Sequence, residues 1–194
     1  MNTTGPDILV VEGVDGVGKT ALAKALATAL GFRYLYTPQP PLASIRKELE
    51  SLRDPNTRFF YYLTSVVAIQ KWIMERLESN QGVVIDRYIY STLAMHQLLG
   101  VDISCVNVDK LPIVFPTVSI LLTASAKTRE ERLVARSGLQ TYDRHIEQST
   151  ALLDRAQVAF RKVCPWSIII NTDSLSAEMV LRKVLHLLKE KGHV

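Results

Sequence analysis

The sequence predicts an α/β fold of three layers: a five-stranded parallel sheet with helices on both faces. Three observations carry this expectation. Short apolar runs, among them Ile8-Leu9-Val10-Val11 and Val83-Val84-Ile85, recur between longer stretches with helical spacing of apolar residues. Those runs are continuous rather than alternating, as in strands buried on both faces. Between the first run and the first helical stretch lies Gly13-Val14-Asp15-Gly16-Val17-Gly18-Lys19-Thr20, which fits the phosphate-loop pattern G-x-x-x-x-G-K-[ST]. The pattern needs a strand before it and a helix after it, and both flanks are present.

Each element follows in turn. Asp7 to Glu12 reads as the first strand. A helix from about Ala21 to Leu30 repeats Leu22, Leu26, Ala29 and Leu30, and Gly31 is a stop. Phe32 to Tyr36 is the second strand, and Thr37-Pro38-Gln39-Pro40-Pro41 then forces an irregular segment. A helix with Ile45, Leu49 and Leu52 on one face comes next. Asp54-Pro55 opens another, with Asp as N-cap and Pro in the first turn. This one is expected to be long, through Phe60, Leu63, Val67, Ile73 and Leu77, ending near Asn80-Gln81-Gly82. Val83 to Ile85 is the third strand, closing in Asp86-Arg87-Tyr88, and Ser91 to Leu99 is helical.

Val101 to Pro116 reads as loop with one short element. Thr117 to Leu122 is the fourth strand, and Lys127 to Arg136 a charged helix broken by Ser137 to Asp143. His145 to Val163 is helical, Trp166 to Ile170 is the fifth strand, and Ala177 to Leu188 the last helix. No internal repeat interrupts the series. Right-handed crossovers put the C-terminal ends of parallel strands on one edge, where ligands bind. The expected whole is a three-layer P-loop NTPase fold in a single domain, 1–194, with a short lid around 132–145.

Composition bounds the function classes. Of 194 residues, 47% are hydrophobic, enough for a large core, and only 22% are charged, which argues against disorder. The net charge of +4 is spread over 23 basic and 19 acidic residues and fits an anionic small molecule as well as nucleic acid, but no dense basic stripe stands out, so nucleic acid is not an expected partner. An anionic small molecule is. Cys105 and Cys164 lack metal-ligand spacing. No signal-like segment or membrane-length apolar run is visible, so the expectation is a cytoplasmic protein without a membrane partner.

The phosphate loop fixes the first chemistry. A triphosphate needs many short donors at close range, and glycines at positions 13, 16 and 18 let the backbone turn and approach it. The whole run Gly13, Val14, Asp15, Gly16, Val17, Gly18, Lys19 and Thr20 is assigned to ATP. Its N–H groups and the positive end of the next helix face the phosphates. Lys19 supplies a point charge on the β/γ-phosphates and Thr20 a hydroxyl for Mg²⁺. Asp86, ending a buried strand, is the second expected metal ligand, the alternative being a cap for the next helix. Arg87 is placed to hold a phosphate, the alternative being an ion pair with Asp86. Arg132, Arg136 and Arg144 flank the polar break. On a lid they would close on the γ-phosphate and exclude water, the alternative being a solvated charged helix. Asp15 repels phosphate and is expected to face the acceptor or to brace the loop.

The sequence is similar to the thymidylate kinase family of nucleoside monophosphate kinases. Val11 to Thr20 resembles the family's phosphate loop, acidic residue included. Val84-Ile85-Asp86-Arg87-Tyr88, followed by Ser91-Thr92-Leu93-Ala94 and Gln97, resembles its D-R-Y/F signature. Arg132-x-x-x-Arg136 with Asp143-Arg144 resembles its lid, and Ile169 to Asp173 falls at its adenine-side loop. The resemblance implies that Asp15 touches the acceptor sugar, Arg87 the acceptor phosphate and Asn171 the adenine side. The resemblance further implies that Tyr61 or Tyr62 takes the place of the base-stacking aromatic, that Tyr88 joins the acceptor site, and that a homodimer forms through the long third helix. Gly16 stands where some members carry arginine, so this chain looks like the type whose extra charge comes from the lid.

The chain also departs from the family. Thr37-Pro38-Gln39-Pro40 replaces an Arg-Glu-Pro-like run, no arginine lies between Arg58 and Arg76, and the fourth strand ends in Leu122-Thr123 rather than an acid. Arg46 is the best spare phosphate ligand. The first reading is an ATP- and Mg²⁺-dependent transfer of phosphate to dTMP, giving dTDP and ADP, with Lys19, Arg87, Arg136 and Asp15 as the catalytic set. The second is a kinase of the same fold acting on a nucleoside or other hydroxyl, which needs a general base, with Asp15 the first candidate and Asp86 the second. The third is a nucleotide-dependent regulator.

Overall fold

The computed structural model describes residues 7–135, 150–163 and 166–193. Its strands are β1 (Ile8–Glu12), β2 (Arg33–Tyr36), β3 (Val83–Asp86), β4 (Val118–Thr123) and β5 (Ile168–Asn171). They form one parallel sheet in the order β2-β3-β1-β4-β5. The helices are α1 (Lys19–Leu30), α2 (Arg46–Ser51), α3 (Pro55–Ala68), α4 (Gln70–Glu78), α5 (Ile89–Leu98), α6 (Ala126–Val134), α7 (Thr150–Lys162) and α8 (Ala177–Glu190). The expected α/β fold and five-stranded parallel sheet are both present.

Alternation along β1 divides the core. Leu9 and Val11 pack with Leu22, Leu26, Val180 and Val184 of α1 and α8. Ile8 and Val10 pack with Phe59, Val66, Ile73 and Ile89 of α3, α4 and α5. Each face of the sheet is thus covered by helices, as a strand apolar on both faces requires. β1 lies at the centre of the sheet, between β3 and β4. The loops after β1 and β3 therefore emerge side by side at one edge.

Two expectations about helices are corrected. The stretch around Ile45, Leu49 and Leu52 is a 3₁₀ turn (Leu42–Ile45) running into the short α2, and Ile45 and Leu52 are exposed. The buried residue of α2 is Glu50, which has polar partners waiting for it. It accepts from Arg46 Nε (2.8 Å) and the Tyr62 hydroxyl (2.8 Å), with Arg58 at 4.0 Å. The single long helix is instead α3 and α4, with Ile69 between them. At that junction Gln70 Nε2 donates to Val66 O (2.8 Å), the carbonyl that its own backbone N–H would take in a continuous helix. The opening of α3 is as read: Asp54 accepts from the N–H groups of Asn56 and Thr57, and Pro55 begins the helix.

The segment 101–116 holds two 3₁₀ turns, Ile103–Cys105 and Val108–Lys110, rather than one short element. The polar break 137–143, with Arg136 and Arg144 and most of the expected lid, lies outside the described residues.

Candidate active site

The phosphate loop runs from the end of β1 to the start of α1. Gly13 (φ 138°), Gly16 (φ 82°) and Gly18 (φ 98°) all lie at positive φ. Two of them are also sterically confined. A Cβ at Gly13 would sit 2.4 Å from Leu122 O, and one at Gly16 would sit 2.9 Å from Arg129 Cβ. Glycine at position 16 is therefore a packing requirement in this chain, because the buried Arg129 of α6 lies directly against the loop.

Three of the loop's carbonyls accept hydrogen bonds from side chains of the protein. Arg132 donates to Gly16 O (3.3 Å), to the Thr172 hydroxyl (2.9 Å) and to Thr172 O (2.7 Å). The Thr172 hydroxyl lies 3.1 Å from Val17 O and donates toward it. Lys19 Nζ donates to Val14 O at 2.7 Å. Carbonyls held in this way leave the loop's N–H groups preorganised for an anion. Arg132 was expected on ATP itself; in this structure its fork bridges the loop to the chain beyond β5. Asn171, the expected adenine-side residue, is exposed at the end of β5 and accepts from Asp173 N (2.8 Å).

Asp86 closes β3 beside the loop. Its Oδ2 accepts from the Thr20 hydroxyl at 2.6 Å and from the Tyr34 hydroxyl at 3.2 Å. Burial and the neighbouring Asp86 carboxylate raise the Tyr34 hydroxyl well above the usual tyrosine range, so it stays a donor. Asp86 Oδ1 is buried with no hydrogen-bond partner among the described residues. A hydroxyl and a carboxylate with one unused oxygen together fit Mg²⁺ carried by phosphates. The described residues hold no cluster of three or more His, Cys, Asp and Glu, so the remaining ligands of such an ion would be phosphate oxygens and water.

Arg87 follows Asp86 and adopts φ 68°, a left-handed conformation costly for a residue with a Cβ. Its side chain does not pair with Asp86. It forms an ion pair with Asp15 Oδ1, and Lys19 Nζ lies 3.1 Å from the same oxygen. The Arg87 and Asp15 side chains are each about one-third exposed. Asp86 does not cap α5 either; that task falls to Glu12.

Glu12 was not among the candidates from sequence. Fully buried at the end of β1, it accepts from Tyr88 N (2.8 Å), Ser91 N (3.0 Å) and the Ser91 hydroxyl. Burial pushes its carboxyl up to about 7, against the pull of those bonds and of Arg87. The signal available was an acid closing an otherwise apolar strand directly before Gly13. Arg129 and Thr172 were missed because nothing local marks them.

The remaining acceptor-side candidates are used by the protein. Tyr88 is fully buried, its hydroxyl donating to Val114 O and accepting from Gln70, so its side chain is packed into the core. The Tyr61 hydroxyl donates to Leu42 O (2.9 Å). Tyr62 bonds Glu50, and the Arg46 guanidinium lies 5.9 Å from the Tyr62 ring centre. Arg46, Glu50, Arg58 and Tyr62 thus form one polar group joining α2 to α3. His96 of α5 lies between the Phe59 and Tyr62 rings, and burial lowers its pKa to about 4.

Residues 11–184 match the thymidylate kinase family model. The chain belongs to the thymidylate kinase family. It is 27% identical over 191 residues to a probable thymidylate kinase of Methanocaldococcus jannaschii, covering 95% of this chain and 97% of that one. A probable thymidylate kinase of Metallosphaera sedula is 33% identical over 131 residues, 66% of this chain and 65% of the relative. Among solved structures, a thymidylate kinase of Candida albicans superposes with TM-score 0.78 at 16% identity, over 97% of this chain and 93% of that chain. One from Ehrlichia chaffeensis gives 0.74 at 20% identity, over 95% and 100%. These two likenesses show a shared fold. As a member of the family, the protein is an ATP-dependent kinase with a nucleotide-binding site. No described helix is long and apolar enough to cross a membrane.

Proposed function

We propose that the protein transfers the γ-phosphoryl group of ATP to the phosphate of dTMP, forming dTDP and ADP. The ion pair between Arg87 and Asp15 carries this reading. It sets a guanidinium, suited to bidentate phosphate binding, beside the phosphate loop. A phosphate acceptor is already nucleophilic and needs charge neutralisation and alignment rather than a base.

In this reading the N–H groups of Gly13 to Thr20 and Lys19 hold the β- and γ-phosphates. Thr20 and Asp86 would hold Mg²⁺, whose charge would offset that of the phosphate oxygens. Arg87 aligns the dTMP phosphate, and Asp15 orients Arg87 and the acceptor sugar. Asp15 is poorly placed as a general base for a hydroxyl acceptor, because Lys19 and Arg87 already neutralise it. Arg136 and a lid over 132–145 complete the catalytic set in one domain. The cytoplasm is the compartment assigned, and a homodimer through α3 and α4 the assembly, with Phe60 and Met74 exposed there.

The test is ADP formation by the purified chain with ATP, Mg²⁺ and each nucleoside or nucleoside monophosphate. Turnover with dTMP well above that with thymidine is expected. Robust turnover with thymidine or another alcohol and none with dTMP would reject the proposal.

A further inference from the structure

We infer that Glu12 is the positioning residue for Arg87, joining the root of the phosphate loop to the acceptor side of the site. The inference rests on the reading of Arg87 as the acceptor-phosphate ligand.

Arg87 occupies a conformation that a side-chain-bearing residue avoids, and such a conformation persists only where its surroundings over-determine it. The surroundings are visible. Arg87 N donates to Val11 O at 3.1 Å. Arg87 O accepts from the Thr37 hydroxyl at 3.0 Å. The next N–H, that of Tyr88, is held by Glu12 Oε1. The peptide groups on both sides of Arg87 are thus fixed, and two of the three anchors come from consecutive residues, Val11 and Glu12.

Glu12 also stands in for a missing cap. Tyr88, the N-cap of α5, makes no side-chain cap hydrogen bond, and the first turn holds no acid. The carboxylate of Glu12 reaches across from β1 to take two of the first N–H groups, those of Tyr88 and Ser91, and the Ser91 hydroxyl. It is completely buried, so it touches neither nucleotide directly. Its action is on the direction in which Arg87 leaves the backbone. Since Gly13 follows Glu12, displacement of this carboxylate moves Arg87 relative to the loop.

The test is steady-state kinetics of the full chain with ATP, Mg²⁺ and dTMP, alongside the melting temperature of each variant. Glu12→Ala is expected to lower kcat/KM for dTMP by about 100-fold with the KM for ATP changed by less than about threefold. Arg87→Ala should do the same, and the double variant should be no worse than the poorer single one, because both losses act through one side chain. Glu12→Gln should recover to within about fivefold of the parent, since its oxygen still accepts both N–H groups and its amide can donate to the Ser91 hydroxyl. Multiplying losses in the double variant, or an ATP KM that rises in step with that for dTMP, would overturn the inference. So would a strong Arg87→Ala effect beside an unchanged Glu12→Ala. Unchanged dTMP kinetics in Arg87→Ala itself would remove the acceptor reading and this inference together. Should Glu12→Ala fail to fold, Ser91→Ala decides: about a fivefold rise in dTMP KM at constant ATP KM supports the inference, and a change under about twofold overturns it.

Discussion

The Thr20 hydroxyl donates to Asp86 Oδ2 at 2.6 Å, joining the first turn of α1 to the end of β3 across 66 residues. With Asp86 Oδ1 buried and unsatisfied among the described residues, the pair is already arranged to receive a cation. Asp86→Asn keeps the hydrogen bond from Thr20 but removes the charge. It should leave folding intact and lower kcat by about 100-fold, with a higher Mg²⁺ requirement. Mg²⁺ titrations of both proteins check this, and EDTA should abolish transfer by the parent.

Lys19 illustrates how a buried cation is kept until phosphate arrives. It is held by Val14 O and Asp15 in a site of low exposure. Lys19→Ala should reduce turnover by about 1,000-fold or more, because no other loop side chain can follow the transferring charge. Activity within tenfold of the parent would show that the loop does not cradle the transferred phosphate.

Replacement of Gly16 by arginine, the residue some thymidylate kinases carry there, should fail in this chain. The Cβ would meet the Cα, Cβ and O of Arg129 within about 3 Å, at a φ that L-residues rarely adopt. A loss of about 2 kcal/mol or more is expected, from overpacking and backbone strain together. Urea denaturation measures the stability, and a gain in kcat would contradict the steric argument.

Thr172 is expected to act on ATP alone. Thr172→Val preserves shape and deletes the hydroxyl that faces Val17 O and accepts from Arg132. The loop then loses an anchor at Val17 O. The KM for ATP should rise by about three- to tenfold while that for dTMP stays constant. Thr172→Ser should restore it, which separates the hydroxyl from general packing.

Two buried groups should make opposite contributions to the pH dependence of stability. Glu12 is raised to about 7 in the folded state, so between its ordinary 4.5 and 7 the folded chain binds more protons. Its contribution falls as pH rises through that window. His96 is lowered from 6.5 to about 4, so the unfolded chain binds more protons between those values, and its contribution falls as pH drops. Each shift corresponds to roughly 3 kcal/mol, and the two largely cancel from about pH 4.5 to 6.5. Glu12→Gln removes one side of the balance. Its unfolding free energy should therefore rise by roughly 3 kcal/mol from pH 4.5 to 6.5, beyond any change in the parent. Parallel slopes for the two proteins would contradict this.

The sequence by itself determined the sheet and the phosphate loop, because their chemistry is local. Glycines specify turns at positive φ, Lys19 and Thr20 follow them in a fixed frame, and continuous apolar runs specify strands covered on both faces. Asp54 and Pro55 start α3 for the same local reason. The tertiary structure decided which distant groups meet. Asp15 rather than Asp86 takes Arg87, Glu12 rather than Asp86 caps α5, and Arg132 grips Gly16 and Thr172. It also decided that Glu50 goes inside while Ile45 and Leu52 stay out. Spacing along a chain records residue type and period. The partner that makes burial of a charge affordable is a three-dimensional fact, set by strand order and by the helices packed on each face.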